Sequence, residues 1–259
     1  MNNNLSGVWN NTYGSVMTLR EDGNRILGTY SSHTGSTGTY LLVGSCTSRA
    51  PTSKAGQSVA FSIFWRNVQE GTPDESWHWT GSMTGQLLAS GTMIVENSIV
   101  VSVPFEQYQT GNYVDELTFT KQDNTTDASE LQSCFFGNDG SEPGQIAYLL
   151  QAVWENADTQ ITIGRVNSET GLTEAELTEN GKTVSLLGFI DCFAEAGMAQ
   201  SFSFSGYDSE TEETMSLSGQ LNHGCKDIMV YKWLSRSTAP DDSFMQTRIC
   251  SVLLTKYDE

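Results

Sequence analysis

The sequence predicts an all-β protein made of two tandem eight-stranded antiparallel up-and-down β-barrels. Short apolar or alternating runs recur about every 8 to 15 residues, bounded by Gly, Asn, Asp and Ser. No window carries a long apolar stripe at helical spacing. One series of motifs occurs twice along the 259 residues, and a repeat of that length indicates two whole domains rather than a solenoid.

The strands of the first copy follow from these runs and the turn residues between them. The segments with a strand pattern are 6–11, 15–20, 26–31, 39–47, 58–66, 77–84, 91–96, 98–103 and 113–121. About eight antiparallel strands in this length suit an up-and-down barrel, whose mouth admits one small ligand. A β-sandwich is the alternative.

The repeat sets the expected domain boundaries. Trp9-Asn10-Asn11 returns as Trp154-Glu155-Asn156, and Thr120-Lys121 returns as Thr255-Lys256. The offset falls from 145 residues (9 to 154) to 135 (121 to 256), so the second copy is shorter. We therefore expect a barrel over 1–122, a linker and loop over 123–144, and a divergent acidic barrel over 145–259.

The net charge of −18 is concentrated in the second copy. Residues 1–122 hold 6 basic and 9 acidic side chains, whereas residues 123–259 hold 7 basic and 22 acidic ones. A nucleic-acid partner is disfavoured, because phosphate binding requires clustered Lys and Arg. The acidity fits either solubility or a docking face for a basic partner. With no apolar run of 18 or more residues, we also expect no membrane association.

The cysteines and sequons bear on the compartment. An odd count of five cysteines leaves at least one unpaired, and none has zinc-site spacing. Sequons at Asn4, Asn10 and Asn124 permit glycosylation in a secreted protein. The first residues lack the charged and apolar regions of a signal peptide. We expect an extracellular protein whose signal peptide is absent from this chain.

Several motifs of the first copy occur in an order that resembles the avidin/streptavidin family. They are Leu5-Ser6-Gly7-Val8-Trp9-Asn10-Asn11, Tyr13-Gly14-Ser15, Leu27-Gly28-Thr29-Tyr30, Phe64-Trp65-Arg66-Asn67, Trp79-Thr80-Gly81 and Phe119-Thr120-Lys121. The second copy has fewer matches, chiefly in 161–168 and 218–220, and resembles a degenerate avidin-like domain. The resemblance implies a barrel that holds biotin in its mouth.

The resemblance also implies a polar end to this pocket. Asn11, Ser15 and Tyr30 fall on positions that donate hydrogen bonds to the ureido oxygen of biotin, and Ser32 falls on a contact to a ureido nitrogen. Strand alternation independently places Trp9 and Asn11 on one face, and buried polar groups there need a partner. A hydrogen-bonded barrel end without ligand is the alternative.

The walls match the family only in part. Trp65 and Trp79 fall on two aromatic box positions, for which core packing is the alternative role. The third box tryptophan is replaced by Met93, and the partner of the second ureido nitrogen is replaced by Leu117. Trp77 replaces a small hydroxyl residue and should point inward. We therefore expect reduced biotin affinity.

The second copy departs further from the family. Trp154 and Asn156 are retained, and Thr159 stands for the pocket serine. The alignment places Glu176 at the tyrosine position and Trp233 at the third box position. Because an ionised Glu176 would repel a ureido oxygen, we expect no biotin binding by this copy.

These observations favour a non-enzymatic small-ligand binding protein. No nucleophile elbow, phosphate loop or zinc-protease motif is present, and we expect no catalytic residues, metal or cofactor beyond the ligand itself. The alternative is a structural or interaction protein that has lost biotin binding. The resemblance further implies a homo-oligomer of tandem pseudo-dimers, in which Cys46 could approach Cys192 and Cys134 could pair with Cys225.

Overall fold

The chain forms two closed eight-stranded antiparallel barrels, as the sequence predicts. The computed structural model describes residues 4–32, 37–68, 78–102, 112–124, 131, 135, 142–222, 224–237 and 245–257. No helix within these ranges is long and apolar enough to cross a bilayer.

The first barrel runs from residue 7 to residue 123, with each strand paired to the next and the last paired to the first. Its strands are β1 Gly7–Asn11, β2 Val16–Asp22, β3 Arg25–Ser32, β4 Gly38–Cys46, β5 Gln57–Phe64, β6 Trp79–Leu87, β7 Thr92–Val101 and β8 Tyr113–Asp123. The inward side chains, among them Trp9, Met17 and Phe61, form one buried core. Side chains alternate along every strand, so odd-numbered residues of β5 to β8 face inward.

One element differs from the sequence expectation. The predicted strands 91–96 and 98–103 are a single strand, β7, which pairs without a break with both neighbours. Asn97 resembles a turn residue in the sequence. In the fold its amide is hydrogen-bonded to the exposed residue Asp115 on β8, so the strand continues through it.

The second barrel repeats this strand order over residues 153 to 256. Its strands are β9 Val153–Glu155, β10 Thr159–Ile163, β11 Leu172–Glu179, β12 Lys182–Ile190, β13 Ser201–Asp208, β14 Glu213–Leu221, β15 Asp227–Ser237 and β16 Met245–Lys256. Trp154 is buried in its core, together with Phe135, Ala147 and Leu150, which precede β9.

The barrels pack side by side and point in opposite directions, so the mouth of each barrel lies next to the opposite end of the other. The outer faces of β4 to β7 lie against those of β12 to β15. At one end His78, just before β6, contacts Asp191 in the loop between β12 and β13. At the other end Arg49, in the loop between β4 and β5, contacts Glu212 in the β13–β14 hairpin. The end of the first barrel where β1, β3, β5 and β7 finish is therefore braced by the second barrel.

The proposed cysteine pairs are absent from the described structure. Cys46 and Cys192 are both free and lie in the cores of different barrels. Cys225 is also free, and Cys134 lies outside the described residues.

Candidate functional site

Asn11 ends β1 and shapes the turn into β2. Its Oδ1 accepts hydrogen bonds from the backbone N–H groups of Tyr13 at 3.0 Å and Ser15 at 2.8 Å. This use of the oxygen turns the Nδ2 group away from the turn. Nδ2 is buried and has no hydrogen-bond partner among the described residues. A buried unpaired donor costs about 1–3 kcal/mol, so the arrangement favours an external acceptor at this atom.

Ser15 lies in the turn that follows Asn11, and Tyr30 lies on β3, one strand beyond β2. Tyr30 pairs with Met17, which in turn pairs with Trp9 on β1. Both Tyr30 and Ser15 are buried, and their side chains are hydrogen-bonded to each other. Burial raises the pKa of Tyr30 and the nearby Asp115 carboxylate raises it further, so the hydroxyl remains protonated and able to donate.

Ser32 is the last residue of β3, two positions beyond Tyr30 on the same face of the strand. Its side chain is buried. The predicted residues Asn11, Ser15, Tyr30 and Ser32 thus lie at the end of β1, in the turn between β1 and β2, and on β3, at the same end of the barrel.

Aromatic rings line the opposite side of this end. Trp65 follows β5, and its ring centroid lies 5.3 Å from that of Tyr30 and 6.0 Å from that of Trp79, with both pairs edge-to-face. Gly81 makes room for the indole, because a Cβ built at that position would lie 2.8 Å from Trp65 Nε1. Trp65 Nε1 is buried without a partner in the described residues. Trp65 and Trp79 therefore stand together with Tyr30.

The other predicted wall residues lie deeper or fall outside the description. Met93 pairs with Phe119, Leu117 pairs with Val95, and all four belong to the core below the aromatic rings. Trp77 lies outside the described residues. The floor of this end is therefore apolar where the resemblance implies a polar partner.

Three residues at this end are not among the site residues that the sequence predicts. Tyr40 faces Tyr30 across the β3–β4 ladder, and its ring lies 4.9 Å from that of Trp65. Asn97 and Asp115 face each other on β7 and β8 and are hydrogen-bonded at 2.8 Å. Counting by twos from the inward residues of the same strands would have placed all three inside.

The second barrel differs at the tyrosine position. In the first barrel, two ladder steps lead from the tryptophan of β1 through Met17 to Tyr30. In the second barrel, the same steps from the tryptophan of β9 lead through Ile161 to Leu177. The prediction that Glu176 holds the tyrosine position is therefore wrong. Glu176 is exposed, and a hydroxyl is replaced by an apolar side chain.

Charged side chains lie at several of the described positions of the second mouth. Asp208 and Glu213, which face each other across β13 and β14, take the places of the two wall tryptophans. Lys232 forms an ion pair with Glu179, and Arg248 bonds to Glu213 at 2.9 Å. These paired charges leave little for a neutral ligand to bind.

Trp233 does not replace the third box tryptophan. It pairs with Ser216 across the β14–β15 ladder, so both side chains point to the same face. The Ser216 hydroxyl bonds to Thr84 of the first barrel. Trp233 therefore lies on the outer face, between the barrels, and that prediction is wrong.

The asparagine turn is retained, but its amide is used differently. Asn156 Oδ1 accepts from the N–H groups of Asp158 and Thr159, as Asn11 does in its own turn. Asn156 Nδ2, however, donates to the Leu253 carbonyl at 3.3 Å. Thr159 thus holds the serine position as predicted, while the donor that is unpaired in the first barrel is paired here.

No group of three or more His, Cys, Asp or Glu side chains in the described ranges could hold a metal ion. The first mouth instead combines buried hydrogen-bond donors with aromatic walls, which suits an uncharged small molecule.

A closed eight-stranded barrel with a polar and aromatic mouth is an architecture that can hold one small ligand. Residues 1–99 match the model of the avidin family, so the first barrel is an avidin-family domain. The second barrel repeats its strand order, and the chain therefore has tandem avidin-like domains. No curated protein matches the sequence significantly.

Proposed function

We propose that the first barrel binds biotin or a related heterocycle without catalysing a reaction, and that the second barrel does not. The family match supports the class of ligand. Asn11, Ser15 and Tyr30 would donate to a carbonyl oxygen, Ser32 would contact a ring nitrogen, and Trp65 and Trp79 would cover the ring faces.

The state of the Asn11 amide carries this proposal. In both turns the asparagine Oδ1 accepts the same pair of backbone hydrogen bonds. The turn therefore accounts for the oxygen of each amide but not for its Nδ2 group. Asn156 Nδ2 has a carbonyl partner, whereas Asn11 Nδ2 is buried without one in the described structure. A ligand carbonyl is the partner that this donor lacks.

The affinity should be below that of a fully polar and aromatic pocket. Leu117 offers no acceptor at the level where the resemblance implies one, and Met93 is narrower than an indole. Leaving a ligand N–H unpaired at such a site costs about 1–3 kcal/mol.

Isothermal titration of the intact chain with biotin tests the proposal. We expect one site per chain and a loss of about 5- to 150-fold in affinity for Asn11→Ala, since each 1.4 kcal/mol is tenfold. Asn156→Ala is the matched control and should leave affinity unchanged. The absence of heat and of thermal stabilisation by biotin would instead favour a structural or interaction protein, with the acidic second copy as its contact surface.

We also propose that the protein is extracellular and assembles as a homo-oligomer of tandem pseudo-dimers. The mass in solution, measured by light scattering, distinguishes this from a monomer.

A further inference from the structure

A second polar pair lies on β7 and β8, and β8 is the strand that pairs with β1, the strand of Asn11. Asn97 pairs with Met83 on one side and Asp115 on the other, and Met83 belongs to the core, so the Asn97 side chain points inward. It is only 4% exposed. Its Nδ2 donates to Asp115 Oδ1 at 2.8 Å, while its Oδ1 is buried without a partner in the described residues.

The carboxylate fixes how the amide is oriented. An ionised carboxylate only accepts hydrogen bonds, so Asn97 must turn its NH₂ group toward Asp115. The atom left facing away is the carbonyl oxygen, which can only accept. Asp115 therefore makes Asn97 an acceptor, just as the turn around Asn11 makes that residue a donor.

The two unpaired atoms belong to one end of the barrel. Asp115 is close enough to Tyr30 for its charge to act on the Tyr30 hydroxyl, which is hydrogen-bonded to Ser15 next to Asn11. Buried polar groups without partners are rare, and each costs about 1–3 kcal/mol. A donor and an acceptor left unpaired at the same end match one ligand with the opposite pattern.

We propose that Asn97 Oδ1, held in place by Asp115, accepts a hydrogen bond from a ring N–H of the ligand. This inference rests on the proposed function and narrows it. The ligand is a heterocycle with a carbonyl on one side, as in a cyclic urea, and a donor N–H directed toward β7 and β8. Asp115 is a positioning residue, because it acts through the Asn97 amide.

The pair also accounts for the apolar residue at position 117. Val95 and Leu117 are the neighbouring inward pair, two residues deeper along the same strands. Two residues of a strand span roughly 7 Å. The acceptor thus lies nearer the mouth than the resemblance implies, and the ligand N–H that it binds must lie at that higher level.

Titration of Asn97→Leu with biotin tests the proposal. The leucine has a similar size but no acceptor, and we expect affinity to fall about 5- to 150-fold. Asn10→Leu is the control, because Asn10 Oδ1 is also buried and unpaired but lies on the adjacent, outward-facing position of β1. An unchanged affinity in Asn97→Leu would overturn the proposal.

Two further measurements separate a specific acceptor from general packing. Biotins methylated at either ureido nitrogen should bind the wild type unequally, and Asn97→Leu should remove that difference. Asp115→Asn should reduce it, because the Asn97 amide is then free to turn over. Equal discrimination by all three proteins would contradict the role of both residues.

Melting without ligand decides the matter independently of biotin. If Asn97 is retained for a ligand, Asn97→Leu should be about as stable as the wild type or more stable, because an unpaired buried oxygen is removed and the exposed Asp115 carboxylate can bond to water in place of the lost amide. If it serves the fold alone, the variant should melt lower. A wild type that fails to bind biotin would refute the proposed function, and this melting result would still test the acceptor.

Discussion

At the scale of single residues, the site depends on which atom of each amide is already used. Asn11 and Asn156 form the same turn, yet only the first keeps an unpaired Nδ2 in the described structure. In Asn97 the Nδ2 group is used instead, because it donates to Asp115, and the Oδ1 atom is left without a partner in the described residues. The same residue type therefore supplies a donor on one strand and an acceptor on another.

Gly81 sets the position of the Trp65 indole. A Cβ there would lie 2.8 Å from Trp65 Nε1, so Gly81→Ala should displace the ring and destabilise the barrel by about 1–3 kcal/mol. We expect weaker ligand binding and a shifted tryptophan emission spectrum. Gly164→Ala is the control, since its Cβ would meet only the Glu174 carbonyl at 3.0 Å in the second barrel. It should lower stability and leave ligand binding and emission at the first mouth unchanged.

Part of the site could be predicted from the sequence because alternation is reliable along a strand. Asn11, Tyr30 and Trp65 stand near motifs that fix their strands and faces. Asn97 was missed because asparagine between apolar runs resembles a turn. Its inclusion in β7 depends on Asp115, a partner that no local pattern identifies.

At the scale of structural elements, the mouth of the first barrel is held by a loop of the second. His78 Nδ1 lies 2.9 Å from the fully buried Asp191 Oδ2, directly before Trp79. Arg66, next to Trp65, lies with its guanidinium carbon 3.4 Å from the ring centroid of Phe193. Both wall tryptophans are thus flanked by residues anchored to the loop between β12 and β13.

This contact should make stability depend on pH. Burial lowers the pKa of His78, but the hydrogen bond and charge of Asp191 outweigh it, so the net shift is upward; Glu195 adds to it and Arg66 opposes it. The stabilisation is therefore complete below the ordinary histidine pKa of about 6.5 and is lost as pH rises through the raised value. In melting experiments, the advantage of the wild type over Asp191→Asn should shrink with rising pH.

The matching variant is His78→Gln, which removes the titrating group. Its melting temperature should lack the same pH-dependent component, while Glu195→Gln should alter it only slightly. A wild-type advantage that grows between pH 6 and pH 9 would contradict the sign of this effect.

At the scale of the whole molecule, two domains could be predicted from the repeat, but their packing could not. The repeat fixes strand order, and each barrel closes by pairing its last strand with its first. Which outer faces meet depends on small side chains whose alternation resembles that of solvent-exposed positions. The expected contact between Cys46 and Cys192 is absent, because each side chain lies in the core of its own barrel.

The interface between the barrels combines buried hydroxyl groups with apolar contacts, among them the stacking of Phe64 on Phe189 and Phe193. Its hydrogen bonds include those that join Ser82 to the Leu217 carbonyl and Ser102 to Ser201. A buried hydroxyl is stable only when its hydrogen-bond partner stands at the right distance and angle. These contacts therefore hold the two barrels in one register.

Ser203 offers the sharpest test of this interface. Its Oγ donates to the Gly81 carbonyl at 2.6 Å. Gly81 is also the residue against which the Trp65 indole packs inside the first barrel. Ser203→Ala removes a buried hydrogen bond and should destabilise the protein by about 1–3 kcal/mol. Ser62→Ala is the control, because Ser62 is equally buried on an outward position of β5 but its Oγ has no partner in the described ranges. Chemical denaturation should show a loss for Ser203→Ala and none, or a gain, for Ser62→Ala. Equal losses would mean that packing of the side chains, and not their hydrogen bonds, holds the two barrels together.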